Sequence, residues 1–337
     1  MIEDKIEIMI PTYNRAKYLN QTLNSLLNSH FKDCKITIRD NASPDDTPKI
    51  CEKYANLFGN MNIIRNKKNI GGNANIIRCY EEAEAPYVWV LADNDLLNFD
   101  DCEDFINAIE SERFDLIMCS SGNYLYSKTD APTFDTPGLS ELIKEKNSKE
   151  NYLENSAHDL VSIIQRYYFS VCSFIPTAIY KTSLIDFDYL LEGYNYISRS
   201  YPHFPLLVKV LNENGLTYKT KKDIVLIQEN PNPLEIGALN YYSRRLECAL
   251  LVEDRTFRDY ATKEPKGGMI YQSFAHIITS KVENEENRRQ YLFKLIFVGY
   301  ELKGFFVGTF YAILFVLFFL IPKSICRYIF NKRWDIE

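Results

Sequence analysis

The sequence has 337 residues and a formal net charge of −6, with 46% hydrophobic and 25% charged residues. That length suits one large domain or a main domain with an appendage; the composition excludes a disordered chain and a polytopic membrane protein, and the acidic balance excludes nucleic acid as a partner, because phosphate-backbone binding needs a basic face. The eight cysteines stand singly without a CxxC pair, which supports reduced thiols in a cytoplasmic compartment rather than a disulfide framework or zinc site, and the 24 tyrosines and 21 phenylalanines read as core before they read as sugar-stacking surface.

In chain order, Lys5 to Ile10 reads as a buried first strand, followed by a helix over Lys17 to Asn28 with Tyr18, Leu19, Leu23, Leu26 and Leu27 at helical spacing. Lys35 to Arg39 is a second strand, and Asp46 to Phe58 a helix opened by Asp45 and Asp46, with Pro48 in its first turn. A third strand covers Met61 to Arg65, a helix Gly72 to Glu84, and a fourth strand the YVWVL run from Tyr87 to Leu91. This alternation predicts βαβ units around a parallel sheet, with ligands bound beyond the carboxyl ends of the strands.

A helix at about Asp100 to Ser111 and a strand at Asp115 to Ser120 follow, and the Ser, Thr, Lys and Pro-rich stretch from Gly122 to Ser156 reads as a loop or irregular insertion. Regular structure is expected again as a helix near His158 to Tyr168, a strand near Ser173 to Tyr180, a helix over Phe204 to Asn212, and a strand over Thr217 to Ile227. The last segment, Gly304 to Pro322, reads GFFVGTFYAILFVLFFLIP without a charge. It falls toward the short end of the length a bilayer span needs, but Lys323, Arg327, Lys332 and Arg333 after it set a simple span against the positive-inside rule. A re-entrant or interface-lying anchor suits both flanks better; a core helix or oligomer interface is the alternative.

Polar groups cluster at each strand end: Pro11-Thr12-Tyr13-Asn14-Arg15, Asp40-Asn41-Ala42-Ser43-Pro44-Asp45-Asp46-Thr47, Asn69-Ile70-Gly71-Gly72-Asn73, and Asp93-Asn94-Asp95. Singly, each fits an ordinary turn or helix cap. Two carboxylates separated by one residue beyond a strand can share one ion only if the chain turns at Asn94, and such hard oxygen ligands suit Mg²⁺ or Mn²⁺. No Gly-Lys-Ser/Thr phosphate loop, GxSxG elbow or HExxH is present.

In order and spacing these clusters resemble the nucleotide-binding half of family 2 glycosyltransferases, whose Asp-Asp-Gly-Ser-x-Asp-x-Thr string corresponds to Asp40 through Thr47; the resemblance covers about Ile6 to Ser120. It implies a GT-A fold, an α/β Rossmann-like, mostly parallel sheet flanked by helices, and a nucleotide-sugar donor. Pro11, Thr12, Tyr13 and Arg15 would border the nucleoside, with Tyr13 as a stacking wall. Asp40, beside Asn41, would accept a hydrogen bond from the base. Asn69, Gly71 and Gly72 would let backbone approach the donor, and Asp93, Asn94 and Asp95 would carry the metal and diphosphate.

The family usually supplies its base from a Glu-Asp pair opening a later helix. Here that helix opens Tyr201-Pro202-His203-Phe204, without the pair, as in abequosyltransferase-like members acting on O-antigen sugars. His203 then becomes the base candidate, since a neutral imidazole accepts a proton near pH 7, with Glu192 as rival; a helix-start histidine bonded to backbone or water is the plainer account. His30, His158 and His276 read as structural.

The expected organisation is a catalytic domain over 1–230, divided into a donor half at 1–120 and an acceptor half at 121–230, then a helical extension at 231–303 and a membrane-associating segment with a basic tail at 304–337. The expected function is inverting transfer to a polyprenyl-diphosphate-linked saccharide during bacterial surface polysaccharide synthesis. The enzyme would be peripheral or monotopic on the cytoplasmic face of the inner membrane, with its oligomeric state left open. Charging of a polyprenyl phosphate, or a non-catalytic scaffold, are the alternatives.

Overall fold

The computed structural model describes residues 1–98, 102–124, 157–159, 174–199, 202–228, 239, 242–243, 246–247, 250 and 269–334. The chain divides into two compact units, one built from Met1–Ile163, Cys172–Ser198 and Pro202–Pro231, the other from Ile164–Val171, Arg199–Tyr201 and Asn232–Glu337.

The first unit is an α/β layer structure. Strands β1 (Ile6–Thr12), β2 (Lys35–Asp40), β3 (Met61–Arg65) and β4 (Tyr87–Val90) alternate with helices α1 (Ala16–Leu27), α2 (Thr47–Ala55) and α3 (Gly72–Glu81). Then come β5 (Leu96–Leu97), α4 (Glu103–Glu110), β6 (Leu116–Tyr124), β7 (Ala157–Asp159), β8 (Ala178–Lys181), α5 (Phe187–Asn195), α6 (Phe204–Asn212) and β9 (Leu216–Gln228). Among the described residues the strand order is β3-β2-β1-β4-β8-β6-β9-β5, with β7 on β9. The β3-β2-β1-β4 half is parallel, while β8 runs antiparallel to both β4 and β6.

Strand alternation sorts the two faces of that half. Ile6, Ile8, Ile10, Ile36 and Ile38 enter an apolar core with Leu19, Leu23 and Leu26 of α1 and with Trp89. The opposite face carries buried Glu7, Thr37 and Arg39. Each is paired, as burial demands: the Thr37 hydroxyl donates to Glu7 at 2.9 Å, and the Arg39 guanidinium reaches Asn66 at 2.9 Å, Asn75 at 3.4 Å, and Glu82.

Three expectations change. The helix proposed from His158 begins as a strand, because Ala157, His158 and Asp159 pair with Tyr218, Thr217 and Leu216 of β9, a non-local contact that overrides local periodicity; the rest of that helix lies outside the described residues. The strand proposed from Ser173 forms only at Ala178–Lys181, since Pro176, unable to donate to a ladder, sits in a 3₁₀ turn at Ile175–Thr177. Gly122 to Tyr124, placed at the head of the proposed loop, belong to β6 instead; residues 125–156 lie outside the described set.

In the second unit, α7 (Met269–Val282) and α8 (Arg288–Leu320) share a core that includes Ile277, Leu292, Leu295, Val298 and Phe315, and α9 (Lys323–Trp334) packs against α7. His276 stacks on Tyr242 with centroids 4.6 Å apart.

Candidate active site

Parallel βα units deliver the ends of β1, β2, β3 and β4 to one rim, and side-chain bonds join the loops there. From the β1 loop, the Asn14 amide donates to the Ser43 hydroxyl at 2.9 Å and the Ala16 amide to the Asp45 carboxylate at 3.0 Å, so the loops after β1 and β2 are stapled. Asn41 then ties the β2 loop to the β3 loop. Its Nδ2 donates to Asn69 Oδ1 at 2.8 Å, and its Oδ1 accepts from the Ile70 amide at 3.0 Å and from Asn66 at 2.9 Å. An amide suits this place because it both donates and accepts. Asn69 Oδ1 also accepts from the Gly71 amide at 2.8 Å, and Gly71 sits at φ 88° before α3.

The β1 and β4 loops meet at the acidic triplet. The chain turns at Asp93 and Asn94, and the Thr12 hydroxyl donates to Asp93 Oδ2 at 2.6 Å. Arg15 Nε stands 3.9 Å from Asp93 Oδ1. Behind the triplet the buried Thr22 hydroxyl of α1 donates to the Asp95 carbonyl at 2.9 Å, and β5 pairs with β9 immediately after it. Asp93 is 7% exposed and Asp95 2%. Burial pushes the Asp93 carboxyl up to about 6, against the pull of the Thr12 hydrogen bond and the Arg15 charge. A carboxylate that has lost its water in this way favours a cation beside it.

The remaining predicted residues take definite places. Tyr13 is 42% exposed on the rim, Pro11 is partly buried behind it, and Arg15 is exposed. Asp40 faces inward: one oxygen accepts the Ser43 amide at 2.9 Å, the other the Arg65 guanidinium at 2.7 Å. Ala42, where the related string has glycine, occupies the left-handed region at φ 63°.

His203 is the N-cap of α6 and only 1% exposed. Its turn packs on α3 and α5, where a Cβ added at Gly193 would meet Ile77 at 2.7 Å and the Pro202 carbonyl at 3.5 Å. Glu192 lies exposed on α5.

Sequence reasoning missed Thr22, Arg65 and the Asn66–Asn75 pair. An arginine or asparagine at a strand end carries no local mark of its partner; only the fold brings Arg65 to Asp40. Among the described residues no cluster of three His, Cys, Asp or Glu side chains could hold a metal by itself. An ion here would therefore take Asp93 and Asp95 and complete its shell from ligand and water oxygens, an arrangement these hard donors fit.

Residues 7–172 match the family model described as Glycosyl transferase family 2. The chain is 30% identical to abequosyltransferase RfbV of Salmonella typhimurium over 240 residues, 68% of each chain. It is 26% identical over 230 residues to the poly(ribitol-phosphate) beta-N-acetylglucosaminyltransferase TarP of Staphylococcus aureus, covering 63% of this chain and 66% of that one. With TarS of the same organism the match spans 119 residues, 20% of that protein. In three dimensions the chain resembles S. aureus TarS 1-349 in complex with UDP-GlcNAc, at TM-score 0.63 and 15% identity, covering 96% of this chain and 92% of that one. It also resembles the mannosyltransferase PcManGT of Pyrobaculum calidifontis in complex with GDP-Man and Mn²⁺, at TM-score 0.51 and 10% identity, covering 99% and 88%. The α/β architecture is accordingly GT-A-like.

Proposed function

We propose that this chain, which belongs to glycosyl transferase family 2 and draws on a nucleotide-sugar donor, is an inverting, divalent-metal-dependent transferase acting on a polyprenyl-diphosphate-linked saccharide. The setting would be the cytoplasmic face of a bacterial inner membrane, during assembly of a surface polysaccharide such as an O-antigen. The observation that carries the donor side is the tying of four strand-end loops into one rim, with the buried Asp93 and Asp95 carboxylates set in it.

In this reading Tyr13 stacks on the base, and the Asp40–Arg65 pair frames it. Asp40 still has lone-pair capacity for a base N–H beyond its two protein bonds. The Asn69–Gly72 loop, held by Asn41, lets the donor approach backbone. Asp93 and Asp95 would hold Mg²⁺ or Mn²⁺, which when bound neutralises charge on the departing nucleoside diphosphate. Thr12 and Arg15 orient Asp93, and Thr22 fixes the backbone at Asp95. His203 takes the acceptor proton, with Glu192 the rival, and residues 121–230 form the acceptor half. Because His203 is buried, acceptor binding must open its turn. The lipid acceptor and membrane location rest on the long apolar helix of the second unit, whose most apolar stretch is only 11% buried.

The test is transfer from a panel of nucleotide sugars, with Mn²⁺, to a polyprenyl-diphosphate-linked saccharide in vesicles and to the same saccharide in soluble form. Preference for the lipid-linked acceptor supports the reading, and equal use of both removes its membrane half. In the same assay His203→Ala is expected to lower transfer at least a hundredfold while leaving donor affinity intact, since one positioned base contributes roughly 10²–10⁴ in rate. Full transfer by His203→Ala would hand the role to Glu192 or another group.

A further inference from the structure

The apolar stretch of the second unit is not one continuous rod. Within α8, Gly304 has φ 75° and ψ 176°, a conformation open essentially to glycine alone, and the chain reverses there. A Cβ placed on Gly308 would fall 2.8 Å from the Tyr300 Cα, so only glycine at 308 lets the two arms approach this closely. The Tyr300 hydroxyl donates to Thr309 at 3.2 Å across the corner. At the other end the arms meet again. Lys281 of α7 binds the Ile321 carbonyl and stands 5.4 Å from the Phe319 ring centre, and Lys323 binds Asn284. A cleft of about 900 Å³ there is lined by Arg288 and Arg289 from the first arm and Phe319 and Leu320 from the second. The 33-residue helix is therefore a hairpin of arms 288–303 and 305–320 whose two ends lie together.

Each arm, at 1.5 Å per residue, is about 24 Å long, short of the roughly 30 Å hydrocarbon core. Along the second arm Phe306, Phe310, Ile313, Leu317 and Leu320 are all exposed and recur at alternating spacings of four and three, which puts them on one stripe from corner to base. Glu301 and Lys303 directly precede the corner, so sinking it to mid-bilayer would carry two charges into hydrocarbon. Around the base, Lys281, Arg288, Arg289, Lys323 and Arg327 outnumber Glu283, Glu285 and Glu286, and Glu285 is already bonded to the Leu239 amide.

We infer that this hairpin lies in the plane of one leaflet of an anionic bilayer without crossing it, its Phe306–Leu320 stripe in the acyl boundary and its basic end against lipid headgroups. The inference rests on the membrane half of the proposed function and adds its geometry. Both ends of the hairpin leave on one side, so the basic tail stays with the loop at 283–287, which removes the conflict with the positive-inside rule.

The test uses the full-length chain in bacterial membranes, with one protease site introduced at Glu286 and another after Glu337. Both are expected to be cut in the same preparation, either inverted vesicles or spheroplasts. Cleavage in opposite preparations means a span, which overturns the inference and leaves membrane association standing. In flotation with purified protein, vesicles containing phosphatidylglycerol are expected to bind at least fivefold better than phosphatidylcholine vesicles. Phe310→Asp combined with Leu317→Asp should lose at least tenfold in binding, with the donor-induced thermal shift unchanged. Undiminished binding by that variant, or equal binding to neutral vesicles, overturns the inference alone. Failure to bind any vesicle, with self-association instead, overturns the membrane half of the proposed function as well and assigns the stripe to a second copy.

Discussion

Asp93→Asn is expected to abolish transfer and yet make the ligand-free protein more stable at pH 7.5. The Asp93 carboxyl is raised from 3.8 to about 6, foremost by burial. A raised value means the folded state holds the proton more tightly than the unfolded one. The stabilisation is therefore complete below about pH 4 and lost as pH rises through about 6. At 1.36 kcal/mol per unit the wild type gives up about 3 kcal/mol across that window, and the asparagine variant, which keeps an oxygen for the Thr12 hydroxyl, gives up none of it. Urea titrations of both proteins at pH 4 and pH 7.5, without divalent ions, check this. The two should nearly coincide at pH 4 and separate at pH 7.5, with the variant the more stable. A wild type as stable as the variant at pH 7.5 would mean that the carboxylate is already compensated by the protein and not poised for a cation.

Arg39→Met is expected to be the most damaging single change in the donor half that touches no ligand. The guanidinium, 5% exposed, holds Asn66, Asn75 and Glu82, and Asn66 in turn holds Asn41, which holds the Asn69–Gly71 loop. Removing it strands the buried Asn75 amide, the part-buried Asn66 amide and a half-buried carboxylate, a loss of about 3–5 kcal/mol. Donor affinity should fall in the surviving folded fraction because the loop loses its tether. The drop in urea midpoint at constant m-value measures the first effect and nucleotide-sugar titration the second. Arg39→Lys should recover little of either, since one ammonium cannot span the fork. A loss under 1 kcal/mol would show that the amides find other partners.

The parallel half of the sheet was legible because each of its strands is apolar on at least one face and ends in a turn-forming cluster, so period and punctuation agree. Beyond β4 they part. β5 is two residues long and owes its existence to β9, and β7 likewise forms only because β9 offers an edge. Helix α5 carries a local signal of its own: Asp186 caps the Tyr189 amide at 2.9 Å, an Asp-x-x start just before a Leu-Leu pair. At the site, the motif residues were readable from spacing, whereas Thr22, Arg65 and the asparagine relay were not, because their partners lie 9 to 73 positions away. The burial of His203 and the reversal at Gly304 are tertiary facts; the second had only a faint trace, a glycine directly after Glu301 and Lys303 at the head of an apolar run.

The proposed function has the donor's phosphates held through a divalent ion at Asp93 and Asp95. Its most direct test is the thermal shift given by the cognate nucleotide sugar, with Mn²⁺ or with chelator, in the wild type and in Asp95→Ala. Donor at a hundred times its dissociation constant adds about 2.7 kcal/mol to the native state. That shift is expected only in the wild type with Mn²⁺ present. An equal shift under chelator, or in Asp95→Ala, would contradict it.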